Sequence, residues 1–175
     1  MNTLAIHFIW TTYGTWLPGD ERGHWSPLYD LYGKIQAAGN RLNLPDEWTR
    51  EVARERMVES EKVLSADETT LLAPLIGRTA GFRAHAAAIE PTHVHLLTGP
   101  LRENVARVAG RLKGSTSSAL LKHSLNTGRR RIWTTGYWKV FLYDMDAVLC
   151  VKNYIEEHNE RRGLPRAPWD WIHPI

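Results

Sequence analysis

The chain of 175 residues is 43% hydrophobic and carries a net charge of +3, which suits one globular domain with an ordinary core. Cys150 is the single cysteine, so an intrachain disulfide and a cysteine-based zinc site are excluded, and no apolar run reaches the roughly 18 residues of a membrane span. Residues 1–10 lack the pattern of a secretory leader, so the expectation is a cytoplasmic protein with no membrane partner and with Cys150 as a small buried hydrophobe.

Residues 4–12 are β-branched and aromatic-rich and read as the first strand, ended by Tyr13-Gly14. From about 14 to 45 the chain is dense in Gly, Pro, Asp and aromatics, as in Leu17-Pro18-Gly19-Asp20 and Trp25-Ser26-Pro27. That composition reads as a long irregular insertion. Loops of such length are usually functional or mobile; Trp16, His24 and Trp25 would either contact a ligand or tack the loop to its own body. Helix resumes at Pro45-Asp46-Glu47-Trp48, with acidic residues suited to a first turn, and is expected to run to about Leu64. Ser65-Ala66-Asp67-Glu68 fits a capping box for a second helix, on which Leu71, Leu72, Leu75 and Ile76 recur before Gly81.

Residues 82–89 and 93–98 read as an antiparallel hairpin turned by Glu90-Pro91-Thr92, which puts His93 at the start of its strand. Residues 103–125 form an amphipathic pattern with a basic exposed side, stopped by Asn126-Thr127-Gly128. Its Gly110, Gly114 and the small polar run 115–118 would let a nucleic-acid backbone approach closely. Residues 138–143 read as a fourth strand, and a last helix begins near Asp144 or Asp146 and ends by Gly163, leaving a short tail at about 165–175. Charge follows this division. Residues 1–101 carry nine Lys/Arg against twelve Asp/Glu, and residues 102–175 carry thirteen against seven, so the second half has the charge of a phosphate-binding surface or of a mixed, solvated one.

The order strand, helices, strand, strand, helix, strand, helix is an α+β, ferredoxin-like β-α-β-β-α-β unit with an added C-terminal helix. Its first and third strands are central. His93 and His95 therefore lie mid-sheet and project side by side, while Val94 and Leu96 face a core. Two neutral imidazoles a strand step apart suit a divalent cation, with a third ligand from elsewhere. On the last helix Val148, Val151, Lys152 and Ile155 mark the side facing the sheet, and Tyr154 and His158, spaced i, i+4, border it. A tyrosine one turn from a histidine, if that helix packs over the His-x-His strand, is a candidate nucleophile beside a metal ligand. His7 alternates toward the same neighbourhood and reads as a core or supporting histidine; His85, His123 and His173 receive no role.

Thr92-His93-Val94-His95-Leu96-Leu97 is followed by Leu112-Lys113-Gly114-Ser115, by Ile132-Trp133 through Gly136-Tyr137-Trp138, and by Tyr154-Ile155 before Gly163-Leu164. This ordered set resembles the HUH single-tyrosine transposases, the insertion-sequence enzymes and their relatives associated with repetitive extragenic palindromes. The likeness spans roughly residues 82–164 plus the first strand. It implies a divalent metal, Mg²⁺ or Mn²⁺, held by His93 and His95, and Tyr154 as the nucleophile that cuts single-stranded DNA. The products it implies are a 5′-phosphotyrosyl intermediate and a free 3′-hydroxyl, with hairpin DNA ends as substrate; insertion-sequence members are commonly homodimers and monomers occur among the palindrome-associated ones, so a homodimer is one of two expected states. Many relatives read Tyr-Ile-x-x-Asn-Pro, with an Asn or Gln side chain approaching the metal. Here His158 stands at that place and would complete a three-histidine site favouring Mn²⁺ or softer ions. Asn159, about 100° further round the helix, is the weaker candidate.

Phosphate contacts are expected from Arg107, Arg111, Lys113, Arg129, Arg130, Arg131, Lys139 and Lys152, with Trp133, Tyr137, Trp138, Trp169 and Trp171 either stacking on bases or packing in the core. Two rival readings stand beside this one. A metal-dependent phosphodiesterase or nuclease would use the three histidines to activate water, and a nucleic-acid-binding module would need neither metal nor tyrosine.

Overall fold

Alternation along β1 (Ala5–Thr11) sends Ile6, Phe8 and Trp10 to one face of the sheet and Ala5 and His7 to the other. The computed structural model describes residues 2–22, 45–123 and 128–175. Within them, β1 is followed by α1 (Glu47–Glu55), α2 (Ala66–Ala80), β2 (Ala84–Ile89), β3 (His93–Thr98), α3 (Val105–Leu121), β4 (Trp138–Leu142) and α4 (Met145–Arg161). The sheet order is β2-β3-β1-β4, every pair antiparallel, which is the ferredoxin-like arrangement with β1 and β3 central. The expected α+β architecture is the one observed.

Two cores sandwich the sheet. Phe8, Trp10, Val94 and Leu96 pack against Leu72 and Ile76 of α2 and Leu112 and Leu120 of α3. On the opposite face Ala86, Ala88 and Leu97 pack against Val148 and Ile155 of α4. The alanines of β2 leave room for α4 to sit close on this face.

Capping chemistry fixes where the helices begin. Ser65 Oγ accepts from Glu68 N while the Glu68 carboxylate accepts from Ser65 N, the capping box read from the sequence, and Gly81 ends α2 at φ 58°. Buried Lys62 closes the same corner, donating to both Glu68 carboxylate oxygens at 2.6 Å.

The helix expected to reach Leu64 ends instead at α1, with Arg56 as its C-cap. Beyond it Lys62 N donates to Tyr13 O at 2.7 Å and Leu64 N to Pro91 O at 2.8 Å. Lys62 and Leu64 are buried while Glu61 and Val63 are exposed. That two-residue alternation marks an extended segment held by strand ends far away in sequence, a pairing that outweighs local helical preference.

On α4, Asp144 caps the Ala147 N–H at 2.8 Å, and Val148, Ile155, Glu156 and Asn159 are the buried residues. Asn159 Nδ2 donates to Ala87 O and to Arg166 O, each at 2.9 Å, and Arg162 donates to Ile89 O, so the C-terminal half of the helix is tied to β2. Cys150 is exposed rather than buried, because it falls on the side of α4 away from the Val148/Ile155 stripe.

The tail then crosses the outer edge of β2. His173 N donates to Ala84 O at 2.8 Å, His85 Nδ1 is 3.1 Å from His173 O, and Trp169 and Trp171 stack and pack against the α2/α3 core. This covers an edge strand whose open backbone would otherwise invite pairing with another chain.

Among the described residues no helix is long and apolar enough to cross a membrane. His24, Trp25 and the Asn126-Thr127 helix stop lie outside the described residues.

Candidate metal centre and nucleophile

β3 starts at His93, and its register opposite β1 pairs Thr11 with His93 and Ile9 with His95. Both imidazoles stand on the face that α4 covers. The α4 ties to Ala87 and Ile89 bring His158 over them, and one ligand atom from each of His93, His95 and His158 falls within 4.8 Å of the others. Tyr154, one turn earlier, lies against the same group, with ring centroids 5.4 Å from His95 and 4.9 Å from His158. It is 44% exposed. One side of the ring therefore lies on the cluster and the other faces solvent.

The nitrogen bookkeeping is specific. His93 Nδ1 is 3.0 Å from Thr92 Oγ1, His95 Nδ1 is 3.0 Å from His7 Nε2, and His158 Nδ1 is 3.4 Å from Glu90 Oε1. Each ring thus has its Nδ1 engaged. Among the described residues His158 Nε2 is buried with no hydrogen-bond partner, a position that costs free energy unless something fills it. Burial and neighbouring imidazoles hold the His95 pKa down to about 2; burial and His158 hold His7 at about 4, and burial, His158 and Arg22 hold His93 at about 4. His93 and His95 are therefore neutral at physiological pH, the form that donates a lone pair to a metal. Three converging imidazole nitrogens, that of His158 buried without a partner among the described residues, fit a divalent transition ion.

Sequence reading named His93, His95, Tyr154 and His158, and the fold brings all four together. Asn159, the weaker candidate, serves the backbone of β2 and the tail. Glu90 and Thr92, legible in the sequence only as turn residues on either side of Pro91, stand against His158 and His93.

The basic residues are spread more widely. Arg107 and Arg111 lie on α3, across the sheet from the histidines, and Arg111 pairs with Glu103 at 2.6 Å. Lys113 donates to Thr134 O and Gly136 O, and burial lowers its pKa to about 8. Arg129, Arg130 and Arg131 lie beside residues 132–134, which bond to the end of β1 opposite His93, so they share the histidine end of the sheet. Arg129 bonds to Ser60, Glu59 accepts the backbone N–H groups of Arg130 and Arg131, and Arg131 stands over the Tyr13 ring at 5.5 Å. Lys139 of β4 stands over the rings of Tyr137 and Phe141, and Lys152 pairs with buried Glu156. Trp133 is buried and donates to Thr116 Oγ1 at 3.0 Å; Tyr137, Trp169 and Trp171 are partly buried against the same core. A cavity of about 610 Å³ between residues 14–22 and 50–61 is lined by none of the four cluster residues.

A ferredoxin-like sheet presenting His-x-His beneath a helix that carries a tyrosine and a third histidine is the arrangement that the resemblance to single-tyrosine transposases implies. The model of the family described as IS200-like transposases matches residues 54–158, and this chain belongs to that family. Among solved structures it is similar to a REP-associated tyrosine transposase bound to a REP hairpin, at 12% identity over 93% of this chain and 70% of that one, with a TM-score of 0.48. It is also similar to a candidate transposase from Deinococcus radiodurans R1, at 16% identity over 90% of this chain and 92% of that one, with a TM-score of 0.43. No curated protein matches.

Proposed function

We propose that this single-domain protein is a metal-dependent transesterase for single-stranded, hairpin-flanked DNA, with Tyr154 as nucleophile and His93, His95 and His158 as metal ligands. The observation that carries the reading is the convergence of three imidazoles, one with an orphaned buried Nε2, directly against an exposed tyrosine. When bound, a divalent ion supplies Lewis-acid polarisation of a non-bridging phosphate oxygen. The protein's own part is position. α4 holds Tyr154 at the rim of the cluster, so that its oxygen can approach a phosphate in line with the bond to be broken.

Attack forms a bond from Tyr154 Oη to phosphorus and breaks the bond from phosphorus to the 3′ oxygen; the phenolic proton ends, net, on the freed 3′-hydroxyl. The phosphotyrosyl diester conserves the energy of the broken bond, so a second 3′-hydroxyl reverses the step and rejoins DNA without ATP. Three imidazole donors favour Mn²⁺ over Mg²⁺. Arg129, Arg130 and Arg131 are assigned to phosphates near the cut. Arg107 and Arg111 are assigned to DNA reaching the opposite face, with Lys113, Lys139 and Lys152 as the remaining basic candidates.

The test incubates labelled single-stranded hairpin DNA with protein and Mn²⁺ or Mg²⁺. A denaturation-resistant adduct is expected with metal and absent with chelator. Cleavage retained in Tyr154→Phe would instead identify water as the nucleophile, and binding without any cleavage would leave only a DNA-binding module.

A further inference from the structure

An imidazole that offers its Nε2 lone pair to a cation must carry its proton on Nδ1, and a buried Nδ1–H needs an acceptor. The three rings of the cluster meet three different ones. Thr92 supplies a hydroxyl to His93, Glu90 lies with a carboxylate oxygen 3.4 Å from His158 Nδ1, and His7 supplies a ring nitrogen to His95 at 3.0 Å.

The turn between β2 and β3 carries two of these partners, and it is firmly held. Glu90 N donates to His93 O, and Thr92 O accepts from Thr12 N, Thr12 Oγ1 and Thr15 Oγ1. His95 has no such neighbour on its own strand. Its partner comes from β1, where His7 sits opposite Leu97 and therefore diagonal to His95, on the same face. Only a side chain with some reach and a polar tip closes that diagonal. His7 does so from a buried position, 6% exposed, with its ring stacked on that of His95 at 5.2 Å and 28°.

We infer that His7 and Glu90 are positioning residues, which fix through Nδ1 the tautomer and ring angle of His95 and His158 so that both Nε2 atoms face the point addressed by His93. The inference rests on the metal reading above. It assigns His7 one tautomer: Nε2 accepts from His95, so its own proton sits on Nδ1. Without an acceptor at that place, the His95 ring gains by shifting its proton to Nε2 or by turning, and either change withdraws its donor from the cluster.

Mn²⁺ titrations by calorimetry on the full chain test this. His7→Phe keeps a flat ring but offers no acceptor, and its Mn²⁺ affinity should fall about 10- to 100-fold. His7→Gln offers an amide oxygen to the same Nδ1–H and should return affinity to within about threefold of wild type. Urea midpoints of the metal-free proteins separate this from a structural role: His7→Phe, which replaces a buried polar ring by an apolar one, should be no less stable than wild type. Should His7→Phe fail to fold, Glu90→Leu carries the test from the turn, with loss of about tenfold in affinity. Wild-type affinity in His7→Phe or Glu90→Leu would overturn the inference. Absence of saturable Mn²⁺ binding by the wild-type protein would overturn the metal reading and this inference with it.

Discussion

Asn159 shows how the position of the site depends on a residue that never touches it. Asn159→Ala removes a side chain that is 1% exposed and donates to Ala87 O and Arg166 O at 2.9 Å each. Each lost bond leaves a carbonyl short of a partner at a cost of about 1–2 kcal/mol, and removing the unpartnered Asn159 Oδ1 returns about 1 kcal/mol. The net loss is about 1–3 kcal/mol, and at about 2–4 °C per kcal/mol for a chain of this size the Tm should fall by about 2–12 °C. A protein with ordinary stability stays folded through such a loss. The functional effect should be larger than the stability effect suggests, because His158 is the adjacent residue and the cut tie is one of the two, with Arg162 to Ile89 O, that hold the end of α4 onto β2. Urea unfolding gives the first quantity and Mn²⁺ calorimetry the second. Glu157→Ala is the control: its pair with Arg161 is over half exposed on both sides, so it should change stability by no more than about 0.5 kcal/mol. If Asn159→Ala unfolds at the wild-type urea concentration and binds Mn²⁺ equally well, α4 is held by something else.

The histidines also set a pH dependence for the metal-free protein. His7 titrates near 6.5 when unfolded and about 4 when folded, so below pH 6.5 the unfolded state takes up its proton first. Stability present above that pH should be lost as pH falls toward 4. His7 alone should account for about 2 kcal/mol by pH 5, with His93 and His95 adding in the same direction; urea midpoints that stay flat from pH 7 to 5 would contradict the burial of these rings. Gly77→Ala should dislodge the tail, since an added Cβ would lie 2.5 Å from Trp171 Cγ. A red-shifted tryptophan emission and a loss of about 1–3 kcal/mol are expected, and an unchanged spectrum would place Trp171 elsewhere.

The chemistry of this chain was legible where it is local and periodic. His93 and His95 share a face because strands alternate, and Tyr154 and His158 share one because helices turn every 3.6 residues; each pair could be read without knowing the other. Contacts set by distant residues were not legible. Lys62 and Leu64 look helical until Tyr13 and Pro91 are seen to hold them extended. Glu156 is buried between Arg166 and Lys152, and its pairing with Arg166 spans the turn after α4, which no local pattern marks. The basic pattern of α3 was read correctly as an exposed face, but which side of the sheet that face would occupy depends on topology, and Arg107 and Arg111 lie away from the histidines.

The most direct test of Tyr154 as nucleophile is to map the bond it should form. Wild-type protein is incubated with single-stranded hairpin DNA and Mn²⁺, the denatured adduct is digested with nuclease and trypsin, and the peptides are weighed. The expected product is the peptide of residues 153–161, in which Tyr154 is the single tyrosine, carrying a nucleotide through a 5′-phosphate on the phenolic oxygen. A nucleotide on any other residue, or cleaved DNA with every peptide unmodified, would contradict it.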